Sequence, residues 1–211
     1  MAGLRERKKR RTFTAIHEAA MELIAERGYN AVTVADIAEA AEVSRATVFA
    51  YYPAKEDIVL GDAPLAINAL EAELGAAGGT PVVQTVREWL RTLTGWVEPD
   101  LVLQRRLAEE IPAVSAARSR VLRDIETVIA EALEREMGPG AQLAPRLVAG
   151  SLTAALAAVE REAARRMAAS SVALNADEVD ALLNQALAFV DGGLARLAAP
   201  AGPTGAHAGE S

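Results

Sequence analysis

Apolar positions recur at intervals of three and four along nearly the whole chain, which predicts helices throughout and no alternating strand. Ile16, Ala19, Ala20, Leu23 and Ile24 form the first stripe. Arg27 and then Gly28 read as a stop, a last-turn cation followed by a residue free to take positive φ. Thr33 stands three residues before Asp36. That is the capping-box spacing, and it opens a short helix with Ile37, Ala38 and Ala41 inward. Only Glu42 and Val43 separate this helix from Ser44. Ser44 is placed to cap a third helix, Arg45 to Tyr51, which Pro53 stops from running far. A fourth helix is predicted from Lys55 to about Leu74. Glu56 and Asp57 in its first turn suit the helix dipole.

The back of the chain continues in the same period. Thr80-Pro81 is a cap with proline at the first helical position, and Val82, Val86, Trp89, Leu93 and Trp96 follow on one face. Pro99 and Pro112 bracket a short helix. Val121, Ile125, Val128, Ile129, Ala132 and Leu133 mark the next helix, ended by Gly138-Pro139-Gly140. Two long helices close the sequence. One carries Val148, Leu152, Leu156, Val159, Ala163 and Met167 inward, the other Val179, Leu182, Leu183, Leu187, Val190 and Leu194. Residues 199–211 are rich in Ala, Gly and Pro and read as a disordered tail. The expectation is an all-α chain of about nine helices, four compact ones in front and five behind, with no internal repeat.

Composition removes several function classes. The 211 residues include no cysteine and two histidines, His17 and His207. Disulfides, thiolate metal sites and cysteine nucleophiles are excluded, and neither a Ser/His/Asp triad nor a histidine metal cluster is plausible. His17 beside Glu18 reads as a helix-surface residue. No cofactor is implied. The longest uncharged apolar run, Leu147 to Val159, falls short of the ~20 residues a membrane span needs. With no secretory signal in view, the expected location is the cytoplasm, with no membrane partner.

The net charge of −7 argues against a polyanion partner until its distribution is examined. Residues 1–60 carry nine Lys/Arg against nine Asp/Glu, and residues 61–211 carry 13 against 20. Arg5, Arg7, Lys8, Lys9, Arg10 and Arg11 crowd the start, opposed by Glu6 alone. This suggests one surface for a polyanion and a separate acidic body, whereas the plainer reading is a solvated terminus. Two short helices joined by a tight turn outline a helix-turn-helix, with Ile37, Ala38, Val43 and Val48 holding the pair together. Its second helix would enter the DNA major groove, its first residues reaching base edges or phosphates.

Residues Arg11 to Leu60 closely resemble the DNA-binding region of the tetracycline-repressor (TetR) family of bacterial transcription regulators. The resemblance rests on Ile16, Ala19-Ala20, Gly28-Tyr29, Thr33-Val34 and Asp36-Ile37-Ala38, then on Val43 through Phe49 and Tyr51 through Asp57. It spans 50 residues, nearly a quarter of the chain. It implies a homodimer in which three N-terminal helices bind DNA and the rest binds a small molecule. The expected division is a DNA-binding domain at 1–54 with a basic N-terminal arm, then a ligand-binding and dimerisation domain at 55–198.

The resemblance carries over residue by residue. Thr33 is first a helix cap, at a position that in the family also meets a phosphate, and the Ser44 cap is placed to reach the DNA backbone as well. Arg45 reads a guanine edge or holds a phosphate, since its fork fits either. Thr47 touches phosphate or a thymine methyl, and Tyr51 hydrogen-bonds phosphate. Tyr52 packs inside. Lys55 shares a phosphate with the amides of the fourth helix. Ala46, Phe49 and Ala50 complete the DNA face, and Arg10 and Arg11 add charge. Four positions depart from the family pattern. Glu42 stands where the turn commonly has glycine, at a cost of ~1 kcal/mol if φ is positive there. Ala46 replaces a common glycine, Phe49 a common tyrosine, and Ala54 the usual Ser/Asn cap.

For the effector pocket the candidates are Trp89, Trp96, Arg105, Met137 and Met167, with core packing the plain alternative for the tryptophans. For a four-helix dimer interface they are Leu152, Leu156, Val159, Leu183, Leu187 and Val190, with a single-subunit core as the alternative. The leading function is a sequence-specific DNA-binding regulator, a repressor released from a pseudo-palindromic operator by a partly apolar small molecule. Two other classes compete with it: an architectural DNA-binding or interaction protein without a ligand, and a small helical enzyme.

Overall fold

Most of the start and stop signals fall close to where helices begin and end. The computed structural model describes residues 4–61, 63–94, 100–141, 143–170 and 174–198. Among the described residues there are ten α-helices, one short 3-10 turn (Tyr29–Ala31) and no strand. The front holds α1 (Leu4–Arg27), α2 (Val34–Ala40), α3 (Arg45–Tyr51) and α4 (Lys55–Val59). The body holds α5 (Ala63–Ala76), α6 (Val82–Thr94), α7 (Leu101–Glu110), α8 (Pro112–Met137), α9 (Ala144–Ser170) and α10 (Ala176–Ala198). No helix among the described residues is long and apolar enough to cross a membrane.

The predicted fourth helix is two helices, α4 and α5, which accounts for the count of ten against about nine. Gly61 sits at φ 60° between them. Pro64 has no N–H to give to the Leu60 carbonyl four residues back, so one continuous ladder is blocked. The basic run is also not a separate arm. It is the first turns of α1, which begins at Leu4 and carries Arg10 and Arg11 exposed. Trp96 and residues 199–211 lie outside the described residues.

Two large apolar cores, with a small third cluster of Val159, Ala163 and Leu182, organise the described residues. The front core gathers Phe13, Ile16, Met21 and Ile24 of α1, Ile37 and Ala38 of α2, Val48 of α3, Tyr52, and Ile58 and Val59 of α4. Leu107 of α7 and Val114 of α8 belong to the same core, so the body inserts two side chains into the front. The body core packs Leu70, Val86, Trp89, Ile129, Leu133, Val148, Leu152, Leu183 and Leu187.

The candidate interface residues lie within this packing. Leu152, Val159, Leu183, Leu187 and Val190 are at most 9% exposed and line the subunit's own interior, and Leu156 is half-buried against it. The periodicity found the apolar stripes of α9 and α10, but those stripes face inward. The apolar residues that these helices turn outward, among exposed charged and polar ones, include Leu147, Ala154 and Ala158 of α9 and Ala181, Ala188 and Phe189 of α10. His17 is likewise not a surface residue. It is buried, its Nδ1 lies 2.7 Å from the Ile58 carbonyl oxygen, and its Nε2 lies 4.0 Å from an Asp100 carboxylate oxygen.

Candidate nucleic-acid interface and effector region

The reading end is built from local hydrogen bonds. Thr33 accepts at Oγ1 from the Asp36 amide (3.2 Å), while Asp36 Oδ2 accepts from the Thr33 amide (2.8 Å) and hydroxyl (2.6 Å). This is a complete capping box, and those bonds hold the Asp36 carboxyl below the usual carboxylate range. Because the Thr33 hydroxyl proton is already given to Asp36, a phosphate contact would require it to turn.

The turn then closes over Glu42, which sits at φ 54°, the left-handed conformation that a glycine adopts more readily. Among the described residues it is the one non-glycine with positive φ. Ala41 donates to the Ile37 carbonyl and Val43 to that of Ala38, so the chain leaves α2 in a fixed direction. Ser44 Oγ accepts from the Thr47 amide at 3.0 Å and pairs with the Thr47 hydroxyl at 2.8 Å, starting α3.

One turn of sequence decides which way α3 faces. Val48 is completely buried, whereas Ser44, Arg45, Ala46, Phe49 and Ala50 are exposed. Phe49 keeps 53% of its surface in solvent, a high value for an aromatic side chain. Thr47 and Tyr51 are half-buried at the edges. Tyr51 sets its ring edge-on to Phe13 (centroids 5.1 Å), and Tyr52 is buried with its hydroxyl donating to the Phe13 carbonyl at 3.3 Å. The expected split, Tyr52 for packing and its neighbour nearer the surface, is thus present. On α1, Arg7, Lys8, Arg11 and Thr12 line one concave basic patch. Arg7 and Lys8 were not among the candidate residues, although the charge run already contained them.

Lys55 has a structural task that the sequence did not reveal. Its ammonium donates to the carbonyls of Tyr29 (2.8 Å) and Val32 (2.9 Å) and lies 3.8 Å from the centre of the Tyr29 ring. Two of its three N–H donors are therefore used inside the protein. Burial, partly offset by Glu56, lowers its pKa. Ala54 offers no capping side chain, as expected, but Asp57 Oδ2 accepts from the Ala54 amide at 3.0 Å. The other Asp57 oxygen accepts from Arg120 of α8 at 3.0 Å. One carboxylate thus ties the start of α4 to the body across 63 residues of sequence, a link no short-range signal announces.

The described effector candidates sit in different surroundings. Trp89 is core, 2% exposed, its Nε1 donating to the Ala66 carbonyl at 3.1 Å. Met137 ends α8 and is 41% exposed. Met167 is buried near the far end of α9, which runs back along α8 from that point. Arg105 of α7 is mostly enclosed, with 15% of its side chain exposed.

Residues 16–61 match the family described as bacterial regulatory proteins, tetR family. The HTH-type transcriptional regulator TcmR of Streptomyces glaucescens is 31% identical over 147 residues, 64% of this chain. The matched part spans 65% of TcmR's own length. Among solved structures, Thermus thermophilus FadR, a TetR-family transcriptional repressor in complex with lauroyl-CoA, is 27% identical with a TM-score of 0.55. That likeness covers 92% of this chain and 98% of the other. The fatty acid degradation regulator FadR of Bacillus halodurans shares the fold at TM-score 0.58 and 21% identity, over 85% of this chain and 97% of the other. With its capped helix-turn-helix inside the matched segment and the all-helical body behind it, this chain is similar to the TetR family of bacterial regulatory proteins.

Proposed function

We propose that this chain is a sequence-specific DNA-binding transcriptional regulator, a repressor that leaves its operator when a small molecule binds the body. One observation carries the reading. The helix-turn-helix buries Val48 and presents Arg45, Ala46, Phe49 and Ala50 on the opposite face of α3, within a segment of the matching family. Thr33, Ser44, Thr47, Tyr51 and Lys55 flank that face, and Arg10 and Arg11 add a basic rim on α1. Functionally, residues 1–54 read DNA and residues 55–198 receive the signal.

The working unit is a homodimer, because two half-sites about one DNA turn apart, ~34–36 Å, need two recognition helices. The outward faces of α9 and α10, small residues around Leu147 and Phe189, suit close packing against a second copy. The complex of the Thermus protein with lauroyl-CoA supports an effector with a sizeable apolar part.

The test is fluorescence anisotropy with DNA from upstream of the chain's own gene, beside scrambled DNA, at several salt concentrations. Specific binding tighter than non-specific by ~10³ or more is expected. Equal weak binding to every fragment of the genome would defeat the reading.

A further inference from the structure

The exposed face of α3 is mostly apolar. At about 100° per residue, its outer arc runs Arg45, Phe49, Ala46, Ala50, with Ala46 and Ala50 opposite the buried Val48. Arg45 supplies the hydrogen-bond donors of this arc, and the other three side chains have neither donor nor acceptor. The hydroxyls next to the arc are engaged in starting the helix: Ser44 Oγ accepts from the Thr47 amide and pairs with the Thr47 hydroxyl at 2.8 Å. An isolated exposed aromatic needs no explanation. Phe49 is not isolated, because it stands beside two methyl side chains on a surface with a cationic rim. Phe13 of α1 meets the Tyr51 ring of α3 at 5.1 Å, so the basic turns of α1 that precede Phe13 run up to the edge of α3. Those turns carry the concave patch of Arg7, Lys8, Arg11 and Thr12. An apolar centre inside a basic rim fits a polyanion that shows apolar groups between its phosphates. The DNA major groove does so at thymine, whose C5-methyl group lies among the hydrogen-bonding edges of the bases. A phenyl ring offers a phosphate no donor, so what Phe49 adds to such a complex is apolar contact.

We propose that Phe49, flanked by Ala46 and Ala50, reads thymine C5-methyl groups in the major groove. This rests on the regulator reading and adds the chemistry of the operator. Arg45 and Phe49 are one helical turn apart, about 6 Å along the axis, which is roughly one to two base-pair steps. The methyl under Phe49 therefore lies within about two base pairs of the group that Arg45 holds. Covering one methyl group changes affinity by about 3- to 5-fold.

The test starts from the full chain and a pool of randomised double-stranded DNA, from which bound sequences are recovered over several rounds. Each thymine of the enriched half-site is then replaced in turn by deoxyuridine, which removes the methyl and nothing else. Affinity is read by fluorescence anisotropy at one salt concentration. The expected result is a loss of about 3- to 5-fold at one or two positions of the half-site. Phe49→Ala should bind the thymine and deoxyuridine forms alike, and its unfolding curve checks that it is folded. Arg10→Gln should weaken binding to both forms and keep the ratio between them. At the same positions, a 5-methylcytosine–guanine pair should bind tighter than a cytosine–guanine pair by a similar factor, since those two differ by the methyl alone. The inference is overturned if the enriched half-site holds no thymine, if no deoxyuridine weakens binding, or if Phe49→Ala keeps the full ratio. An enriched sequence indifferent to its methyls ends this inference alone, whereas no enriched sequence at all ends the regulator reading and this inference with it.

Discussion

The reading end and the body are both helical, yet their order comes from different interactions. The front is four helices of which three are seven residues or shorter, too short to persist alone. Capping bonds three residues apart and one small shared core fix them. The body is built from helices of up to 27 residues, held by a large apolar core, with its hydrogen bonds mostly internal to each helix. In the front, a polar side chain decides where a helix starts and which face it shows. In the body, packing decides. The proposed function divides along the same line: the front displays an exposed face of fixed geometry, while the body encloses a large apolar core.

The largest test of that division pairs Trp89 with Arg45. Trp89→Ala should cost about 3–5 kcal/mol in urea unfolding, with operator affinity of the folded protein unchanged. Arg45→Ala should leave unfolding unaltered and weaken operator binding by about 1–3 kcal/mol, roughly 5- to 150-fold. Lost operator binding in folded Trp89→Ala would show that the two regions do not separate.

A smaller effect is expected at Lys55, which belongs to both descriptions. Lys55→Ala removes the ammonium donor from the Tyr29 and Val32 carbonyls, leaving Tyr29 only the Val32 amide at 3.4 Å, and should destabilise by about 1–2 kcal/mol. If its remaining N–H also meets a phosphate, the slope of log affinity against log salt should fall by about one. A stability loss with an unchanged slope would make Lys55 purely a clamp.

At Glu42 the sign reverses. Glu42→Gly should stabilise by about 0.5–1 kcal/mol, since glycine takes positive φ without the Cβ clash, less the added freedom of the unfolded chain. A lower melting temperature in that variant would mean that the glutamate side chain contributes to the turn.

The smallest effect belongs to the body surface. Hydrogen bonds from Arg165 and then Arg166 hold the Glu162 carboxyl at about 2, below its ordinary 4.5. A depressed carboxylate adds stability at pH values above 4.5, and that stability drains away as pH falls toward 2. Glu162→Gln should therefore flatten the stability curve in that acid window and change little at neutral pH. An unchanged acid limb would show that solvent already screens the cluster.

Much of the front was legible because its signals are local. The Thr33–Asp36 spacing, the Ser44 cap, the Glu42 turn and the inward Val48 all involve residues three or four apart, where helix geometry alone sets the neighbours. Helix number and type in the body were legible for the same reason, except at Gly61, where a positive-φ glycine and a following proline together break one predicted helix into two. Facing was not legible. Alanine covers so much of α9 and α10 that both sides qualify as packing surfaces, and only the assembled core shows Leu152 and Leu187 inside and Phe189 outside. The bonds from Lys55 to Tyr29 and Val32, from Asp57 to Arg120 and from His17 to Ile58 also arose only in three dimensions. Each joins groups 23 to 63 residues apart. No periodicity reports such a distance, because it depends on how whole helices pack rather than on how one helix turns.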